Sequence, residues 1–513
     1  MAKTPGRSGG HSRRLSESRE AAAAAPDLTG LSIDYDERPQ SQPLEGPTGR
    51  MIATLPAATS SSLSSAVAAV SKDFSLRSIC ATGDFSGVMD QAQMDSADVI
   101  VFQEFGIAVF KSDPDQRVGV VESARSQGMM VEPEYWNHPL GMKSQSLRPA
   151  SLDGDVDPVR ATASLDYLRG FRDGLSRVIE ALESPSQAIR GLVRVADFSD
   201  SAAATWGLQA TGAVGATRSG AGVRVAVLDT GFDITHPDFR GRAIQSQSFI
   251  PPTTTDISGN LITLTDTSAT IDQSGHGTHC IGTACGPRNS QSGPRYGIAH
   301  GAEIFNGKVL SVIPGTTRAS GADAWILEGI RWAIRSECSI ISLSLGSPVR
   351  HGDPVSTAYE SLARAAWENG VLIVVAAGND SDRDGRYPPL FTCTIRPVAR
   401  PANCPHIVSV AALEPATMGT GILKIANFSN RHLIDQGGEV NLSAPGVSVL
   451  SSYTQPRYQL LDGTSQATPH VAGIAALVQE ETGKNSKDLY FELRNRAVPQ
   501  GSRVDYGNGL VHV

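Results

Sequence analysis

Four short stretches carry side chains that together could run acyl-transfer chemistry. In Gly463-Thr464-Ser465-Gln466-Ala467-Thr468-Pro469-His470 a glycine-containing turn opens a helix with a serine in its first turn. The run Val471 to Val478 that follows suits a helix buried on most sides. A hydroxyl there sits where backbone N–H groups converge and the helix dipole is positive, so an oxyanion beside it could be stabilised. Taken alone, such a serine is an N-cap. Ser274-Gly275-His276-Gly277-Thr278-His279 sets a histidine between glycines just before a helix containing Cys280 to Cys285, and alone it would be a structural histidine. Val225-Ala226-Val227-Leu228-Asp229-Thr230-Gly231 is a buried strand ending in a carboxylate, with Asp233 and Asp238 as nearby alternatives. Alone, that aspartate would cap a turn. A serine near neutral pH needs a base within reach, and the base needs a third group to hold its tautomer and stabilise the imidazolium. Ser465, His276 and Asp229 supply those three roles. In Val374-Val375-Ala376-Ala377-Gly378-Asn379-Asp380 a strand runs into a Gly-Asn turn, and the Asn379 amide could donate to an oxyanion beside the Ser465 N–H.

These residues need a scaffold that brings them to one edge. From about Ser201 to Val513 strands and helices alternate, which predicts a mainly parallel sheet covered on both faces by helices. Strands are predicted at Val223–Leu228, Glu303–Leu310, Ser339–Leu345, Val371–Ala376, Ile407–Ala411 and Val447–Tyr453. Helices are predicted after His276, at Asp323–Arg335, at Ser356–Asn369, after Ser465 and at Ser486–Asn495. Chemistry in such folds gathers at the C-terminal ends of the strands. Upstream, residues 51–139 read as a small α+β unit of ferredoxin-like size. Its strands are expected at Met51–Leu55, Leu76–Ala81, Asp98–Phe105, Gly106–Lys111 and Met129–Pro133, and its helices at Ser61–Val70 and Pro114–Ser126. Residues 140–200 form a linker in which Leu165, Leu168, Phe171, Leu175, Val178, Ile179 and Leu182 recur at helical spacing and predict an amphipathic helix packed on a neighbour. Residues 1–50, rich in Ser, Pro, Gly, Arg and Ala, read as a disordered tail.

At 513 residues the chain needs more than one core, and its net charge of -8 argues against a nucleic-acid partner. No apolar run approaches the roughly 18 residues of a membrane span. Arg13-Arg14 is followed by Leu15-Ser16-Glu17-Ser18-Arg19-Glu20 where the apolar core of an export signal would stand, so a cytoplasmic location is expected, with secretion if the start is mis-assigned. The six cysteines form no Cys-x-x-Cys pair, which suggests free thiols in a reducing compartment; Cys393 and Cys404 could be bridged across a Pro-rich loop.

The chain order Asp, His, Ser is that of subtilisin, and the sequence resembles the subtilisin-like (subtilase, S8) serine proteases through Asp229-Thr230-Gly231, His276-Gly277-Thr278-His279, Ala376-Ala377-Gly378-Asn379 and Gly463 to His470. The resemblance implies a subtilisin-like catalytic domain over residues 201–513, with Asp229, His276 and Ser465 as the triad and Asn379 with Ser465 as the oxyanion hole. It implies that Ser344-Leu345-Gly346 forms one wall of the substrate pocket, with Ala376-Ala377-Gly378 opposite and the solvated acidic residues Asp380, Asp382 and Asp384 near its mouth. No cofactor is required. Asp238 matches a possible ligand of a structural calcium, after His236-Pro237. The unit over residues 51–139 then resembles a propeptide: an α+β ferredoxin-like intramolecular inhibitor whose C-terminal segment lies in the cleft and is cut by the enzyme, somewhere between Trp136 and Asp200. The function implied is an autoprocessed serine endopeptidase acting on peptide or protein substrates. The alternatives are a dedicated precursor-peptide maturation protease and a catalytically silent scaffold of the same fold.

Overall fold

The computed structural model describes residues 44, 46–55, 60–143, 198–256, 258–291, 293–350, 352–385, 394–415, 422–432 and 438–513. The amphipathic helix expected over 165–182, most of the expected tail, and Cys393 lie outside these residues.

The N-terminal unit runs β1 (Pro47–Thr54), α1 (Ser60–Asp73), β2 (Ile79–Ala81), α2 (Gln91–Ser96), β3 (Val99–Phe102), β4 (Ile107–Phe110), α3 (Arg117–Ser126), β5 (Met130–Pro139) and β6 (Met142–Lys143). Its sheet order is β5-β1-β4-β3-β2, antiparallel throughout except that β2 joins β3 in parallel. Strand alternation sends Ala53, Val99, Val101, Ala108 and Phe110 to one face, where Leu63, Val67 and Val70 of α1 and Val120 and Ala124 of α3 cover them. The other face, with Ile52, Ile100, Phe102, Ile107 and Val109, joins the large core that continues into the C-terminal unit through Trp325 and Tyr359. Burial on both faces explains why β3 and β4 read as unbroken apolar runs.

Three details depart from the sequence reading. Strand β1 begins at Pro47, inside the stretch expected to be a tail. Helix α2 was not anticipated; Asp90 caps it by accepting from the Gln93 N–H at 2.8 Å. Strand β5 does not stop at Pro133 but runs to Pro139, because Pro133 adjoins a register shift in its pairing with β1 and the chain then finds new partners further on.

The C-terminal unit contains α4 (Trp206–Ala210), β7 (Arg224–Asp229), β8 (Ile244–Ser248), β9 (Thr253–Thr255), β10 (Leu261–Thr263), α5 (His276–Cys285), β11 (Glu303–Lys308), β12 (Ser311–Val312), β13 (Ala319–Ala322) and α6 (Asp323–Arg335). It continues through β14 (Ile340–Leu343), β15 (Leu345–Gly346), α7 (Thr357–Glu368), β16 (Leu372–Ala376), β17 (Val408–Glu414), β18 (Lys424–Ile425), β19 (Leu442–Pro445), β20 (Val449–Tyr453), β21 (Arg457–Asp462), α8 (Thr464–Thr482), α9 (Ser486–Arg496) and α10 (Arg503–Tyr506). The central sheet has the order β18-β17-β16-β14-β7-β11-β8, with β19 also on β17; every pair is parallel except β17 with β18. Strands β7, β14 and β16 therefore deliver Asp229, Ser344 and Asn379 to one edge. Helix α8, buried from Thr464 to Val478, packs against β14, β16, β17 and β19.

The segment Val447–Tyr453 does not join that sheet. Pro445, Gly446 and Ser448, the last with φ 51°, turn the chain away, and β20 instead forms an antiparallel hairpin with β21 over α5, while β19 takes the place beside β17.

Candidate active site

Strand β7 ends at Asp229, and the Asp229 Oδ1 accepts from His276 Nδ1 at 2.8 Å and from the Thr230 N–H at 2.7 Å. A carboxylate only accepts, so His276 Nδ1 carries a proton and Nε2 is the ring atom left to gain or lose one. Nε2 is buried with no hydrogen-bond partner among the described residues. Burial disfavours the imidazolium, but the adjoining Asp229 carboxylate, with Cys280 beside it, holds the His276 pKa well above 6.5. His279, one turn on, donates from Nε2 to the carbonyls of Val449 and Gln459, and burial with the nearby His276 pulls its pKa down to about 3, so it stays neutral.

A residue not singled out from the sequence holds this corner together. The buried Asp272 accepts from Thr230 Oγ1 at 2.9 Å, the Gly275 N–H at 2.8 Å, and the Thr278 N–H and Oγ1 at 2.8 and 2.7 Å, and Thr230 Oγ1 in turn accepts from the Gly277 N–H at 2.8 Å. This network locks the Asp229 turn to the start of α5. Its one sequence signal is the Asp three residues ahead of Gly275, the spacing of a side-chain-capped turn.

Ser465 is the second residue of α8 and is fully buried. Its Oγ donates to the Ser344 carbonyl at 2.8 Å, and Ser344 Oγ donates back to the Ser465 carbonyl at 2.8 Å. Pro469 explains the second bond: it has no N–H to offer the carbonyl four residues earlier, so that carbonyl is free for Ser344 and for the Cys280 Sγ at 3.6 Å. The Ser465 backbone is thereby tied to the end of β14. Asn379 Oδ1 accepts from the Thr464 N–H at 3.0 Å and Oγ1 at 2.8 Å, which fixes its amide so that Nδ2 faces outward as a donor.

The chain itself fills the cleft. The C-terminal part of β5 pairs antiparallel with β13 (Trp136 with Ala322, Asn137 with Gly321) and with β15 (His138 with Gly346, Pro139 with Leu345). The Leu140 N–H donates to the Ser344 carbonyl at 3.1 Å, and the Leu140 carbonyl accepts from the Ser465 N–H at 3.2 Å and from Asn379 Nδ2. A Cβ at Gly463, whose φ is 154°, would stand 2.3 Å from the Leu140 oxygen, so this approach requires glycine. Gly346 leaves room for the Leu140 side chain, since a Cβ there would be 3.2 Å from Leu140 Cδ1. Beyond Leu140, Gly141 lies against His276 Nε2, and β6 pairs with β21 (Met142 with Asp462, Lys143 with Leu461).

Ser344, Leu345 and Gly346 thus line the strand opposite residues 138–140. Ala376 ends β16, the Ala377 N–H is bonded to the Val410 carbonyl, and the Gly378 N–H donates to Thr464 Oγ1 at 3.2 Å, so these three residues support the Asn379 turn from behind. Asp380 and Asp382 accept from Asn430 and Asn427 at 2.9 Å each and Asp384 faces Lys424 at 3.7 Å, which ties the acidic residues to the segment 424–430. Asp238 accepts from Tyr296 Oη at 2.6 Å, Tyr458 Oη at 3.0 Å, Ser290 Oγ at 3.3 Å and the Gln291 N–H at 2.7 Å. One carboxylate met by an N–H and three hydroxyl donors fits a hydrogen-bond acceptor better than the oxygen cage a calcium needs. Cys404 is a free, buried thiol donating to the Ser356 carbonyl at 3.7 Å, in line with the free-thiol reading of the cysteines.

Comparison with known proteins identifies the family. The sequence description of peptidase S8, the subtilase family, matches residues 220–506. Subtilisin from Bacillus pumilus is 33% identical over 297 residues, covering 58% of this chain and 90% of that protein. An intracellular serine protease from Paenibacillus polymyxa is 34% identical over 301 residues, covering 57% of this chain and 80% of that protein. Subtilisin E from Bacillus subtilis is 33% identical over 297 residues, covering 58% and 65%. Among the described residues no helix is long and apolar enough to cross a membrane.

Proposed function

Because the chain belongs to the subtilase family of serine proteases, we propose that it is a serine endopeptidase made as a precursor that cuts itself between Leu140 and Gly141, with residues 47–140 as a ferredoxin-like propeptide. The observation that carries this proposal is the Leu140 carbonyl, held between the Ser465 N–H and Asn379 Nδ2. Those are the two donors an oxyanion would need, and an ordinary loop contact has no use for both.

The chemistry follows from the groups in contact. The Ser465 hydroxyl turns about its Cα–Cβ bond from the Ser344 carbonyl toward His276 Nε2 and attacks the Leu140 carbonyl carbon as its proton passes to Nε2. Asp229 fixes the tautomer and stabilises the imidazolium. The oxygen, now negative, stays on the same two donors. Collapse breaks the Leu140–Gly141 bond, and the proton on Nε2 goes to the Gly141 nitrogen. Water, deprotonated by His276, then releases the Leu140 carboxylate from Ser465. No metal or other cofactor enters these steps. Peptide and protein substrates would later add as a strand in the same groove.

In this reading the released N-terminal unit stays bound as an inhibitor, and its contacts with two helix starts support that. Glu134 accepts from the Ala324 N–H at 3.0 Å at the start of α6, and Glu132 accepts from the Ala358 N–H at 3.0 Å at the start of α7. Two carboxylates two residues apart on one strand thus cap two helices of the C-terminal unit, where the dipole favours negative charge. The buried free thiols Cys80, Cys280, Cys285, Cys338 and Cys404 support a reducing compartment such as the cytoplasm.

The test is mass measurement of purified wild type beside Ser465→Ala. Wild type is expected to lose a piece ending at Leu140 while the variant stays whole. If both stay whole, the silent scaffold becomes the better reading.

A further inference from the structure

Upstream of the scissile bond the cleft contains a buried polar pocket. Asn137 is the fourth residue before that bond, counting Leu140 as the first, and its side chain is fully buried. Its Nδ2 donates to Asp323 Oδ1 at 2.7 Å, and the same oxygen accepts from Tyr359 Oη at 2.9 Å. Asp323 Oδ2 accepts from the Tyr135 N–H at 2.8 Å and lies 3.2 Å from Arg400 Nη2. Since the carboxylate can only accept, the orientation of the Asn137 amide is settled by its partner. Asp323 is itself fully buried.

Of these partners, Tyr359 and Arg400 belong to the C-terminal unit and stay when the segment leaves. The other two must come from whichever peptide lies in the groove. One is a backbone N–H, which almost any extended peptide supplies. The other is a side-chain donor four residues before the bond. The Asp323 charge is already balanced by Arg400, so the pocket calls for a neutral donor rather than a cation. An apolar side chain there would leave a buried carboxylate lone pair without its donor, and an acidic one would set like charges against each other.

We infer that Asp323, oriented by Tyr359 and Arg400, selects peptides carrying a neutral hydrogen-bond donor, as Asn137 is, four residues before the cleaved bond. This rests on the protease reading above. Leaving one buried acceptor unpaired corresponds to about a 10- to 100-fold loss in kcat/KM.

The experiment uses the purified full chain after self-processing and two internally quenched peptides: Tyr-Trp-Asn-His-Pro-Leu-Gly-Met-Lys, and the same peptide with Leu in place of Asn. Wild type is expected to cut the Asn peptide about 10- to 100-fold faster. In Asp323→Leu the ratio should fall to near one or invert. Equal rates on the two peptides with wild type overturn this inference and leave the protease reading intact. Cleavage of neither, with residues 47–140 separated from the processed enzyme beforehand, overturns both. An unchanged ratio in Asp323→Leu assigns the preference elsewhere and also overturns it.

Discussion

Replacing Gly141 with alanine tests the placement of the scissile bond more sharply than removing the nucleophile does. A Cβ at residue 141 would stand 2.6 Å from His276 Nε2, 2.7 Å from its Cδ2 and 3.3 Å from Gln466 Nε2. Ordinary contact between such atoms is about 3.5 Å, so roughly 0.9 Å must be found by moving either the ring or the strand. The ring is pinned through its 2.8 Å bond to Asp229. The strand is pinned by the two donors on the Leu140 carbonyl. Either motion spoils the attack geometry, and a misplacement of about 1 Å costs on the order of 100-fold in rate, about 2.7 kcal/mol of barrier. Gly141 lies outside the left-handed region, so alanine adds a contact and no backbone strain. The assay follows precursor conversion by intact mass over time in wild type and Gly141→Ala. A 30- to 300-fold slowing is the approximate expectation. Conversion at the wild-type rate with the new N-terminus at residue 141 would refute the proposed contact, and a product beginning elsewhere would refute the bond assignment itself.

Asn379→Ala removes one of the two donors on the Leu140 oxygen and should slow self-processing about 100- to 1000-fold, about 2.7–4 kcal/mol, in the same mass assay; a loss under about threefold would remove Asn379 from the oxyanion hole. His276 must be neutral to accept the Ser465 proton, and its pKa is held well above 6.5, so activity is low where the ring is protonated and rises with pH only above that value. A kcat/KM profile whose acid limb falls at or below 6.5 would count against a charged Asp229 beside the ring. Asp238 is engaged by four protein donors, so a chelator should leave the melting temperature unchanged; a drop of several degrees restored by calcium would assign the carboxylate to a metal.

The three residues of the proposed triad were legible because each is flagged locally. Asp229 ends an apolar strand, His276 follows a glycine at a helix start, and Ser465 stands in the first turn of a buried helix. The elements beneath them were legible from the apolar runs of β7, β14 and β16 and, at α7, from the Ser356 cap. Asp272 was less so, since its four bonds are made to a turn and a helix start that only tertiary structure brings near Thr230. Asp323 read simply as an acid in the first turn of α6, a favourable position on dipole grounds alone. Its partner Asn137 lies 186 residues away in sequence. The reach of β5 was hidden too, because Pro133 and Pro139 look like stops unless the pairing partners β13 and β15 are known.

One signal for that long-range contact was nevertheless present. Strands β3 and β4, Val99-Ile100-Val101-Phe102 and Ile107-Ala108-Val109-Phe110, show no polar alternation. A strand without alternation must be covered on both faces. The N-terminal unit has two long helices, α1 and α3, and both lie on the same face, over Val99, Val101, Ala108 and Phe110. The opposite face, with Ile100, Phe102, Ile107 and Val109, must find its cover outside the unit, and the C-terminal unit supplies it through α6 and α7 with Trp325, Tyr359 and Leu362. Once that face is docked, β5 at the sheet edge has little freedom. Its carboxylates at 132 and 134 meet the two helix starts, and the next residues are carried along β13 and β15 to Ser465. The position of the proposed scissile bond is therefore a consequence of how far a strand must run from a docked sheet to Ser465, which composition and motif spacing alone do not measure.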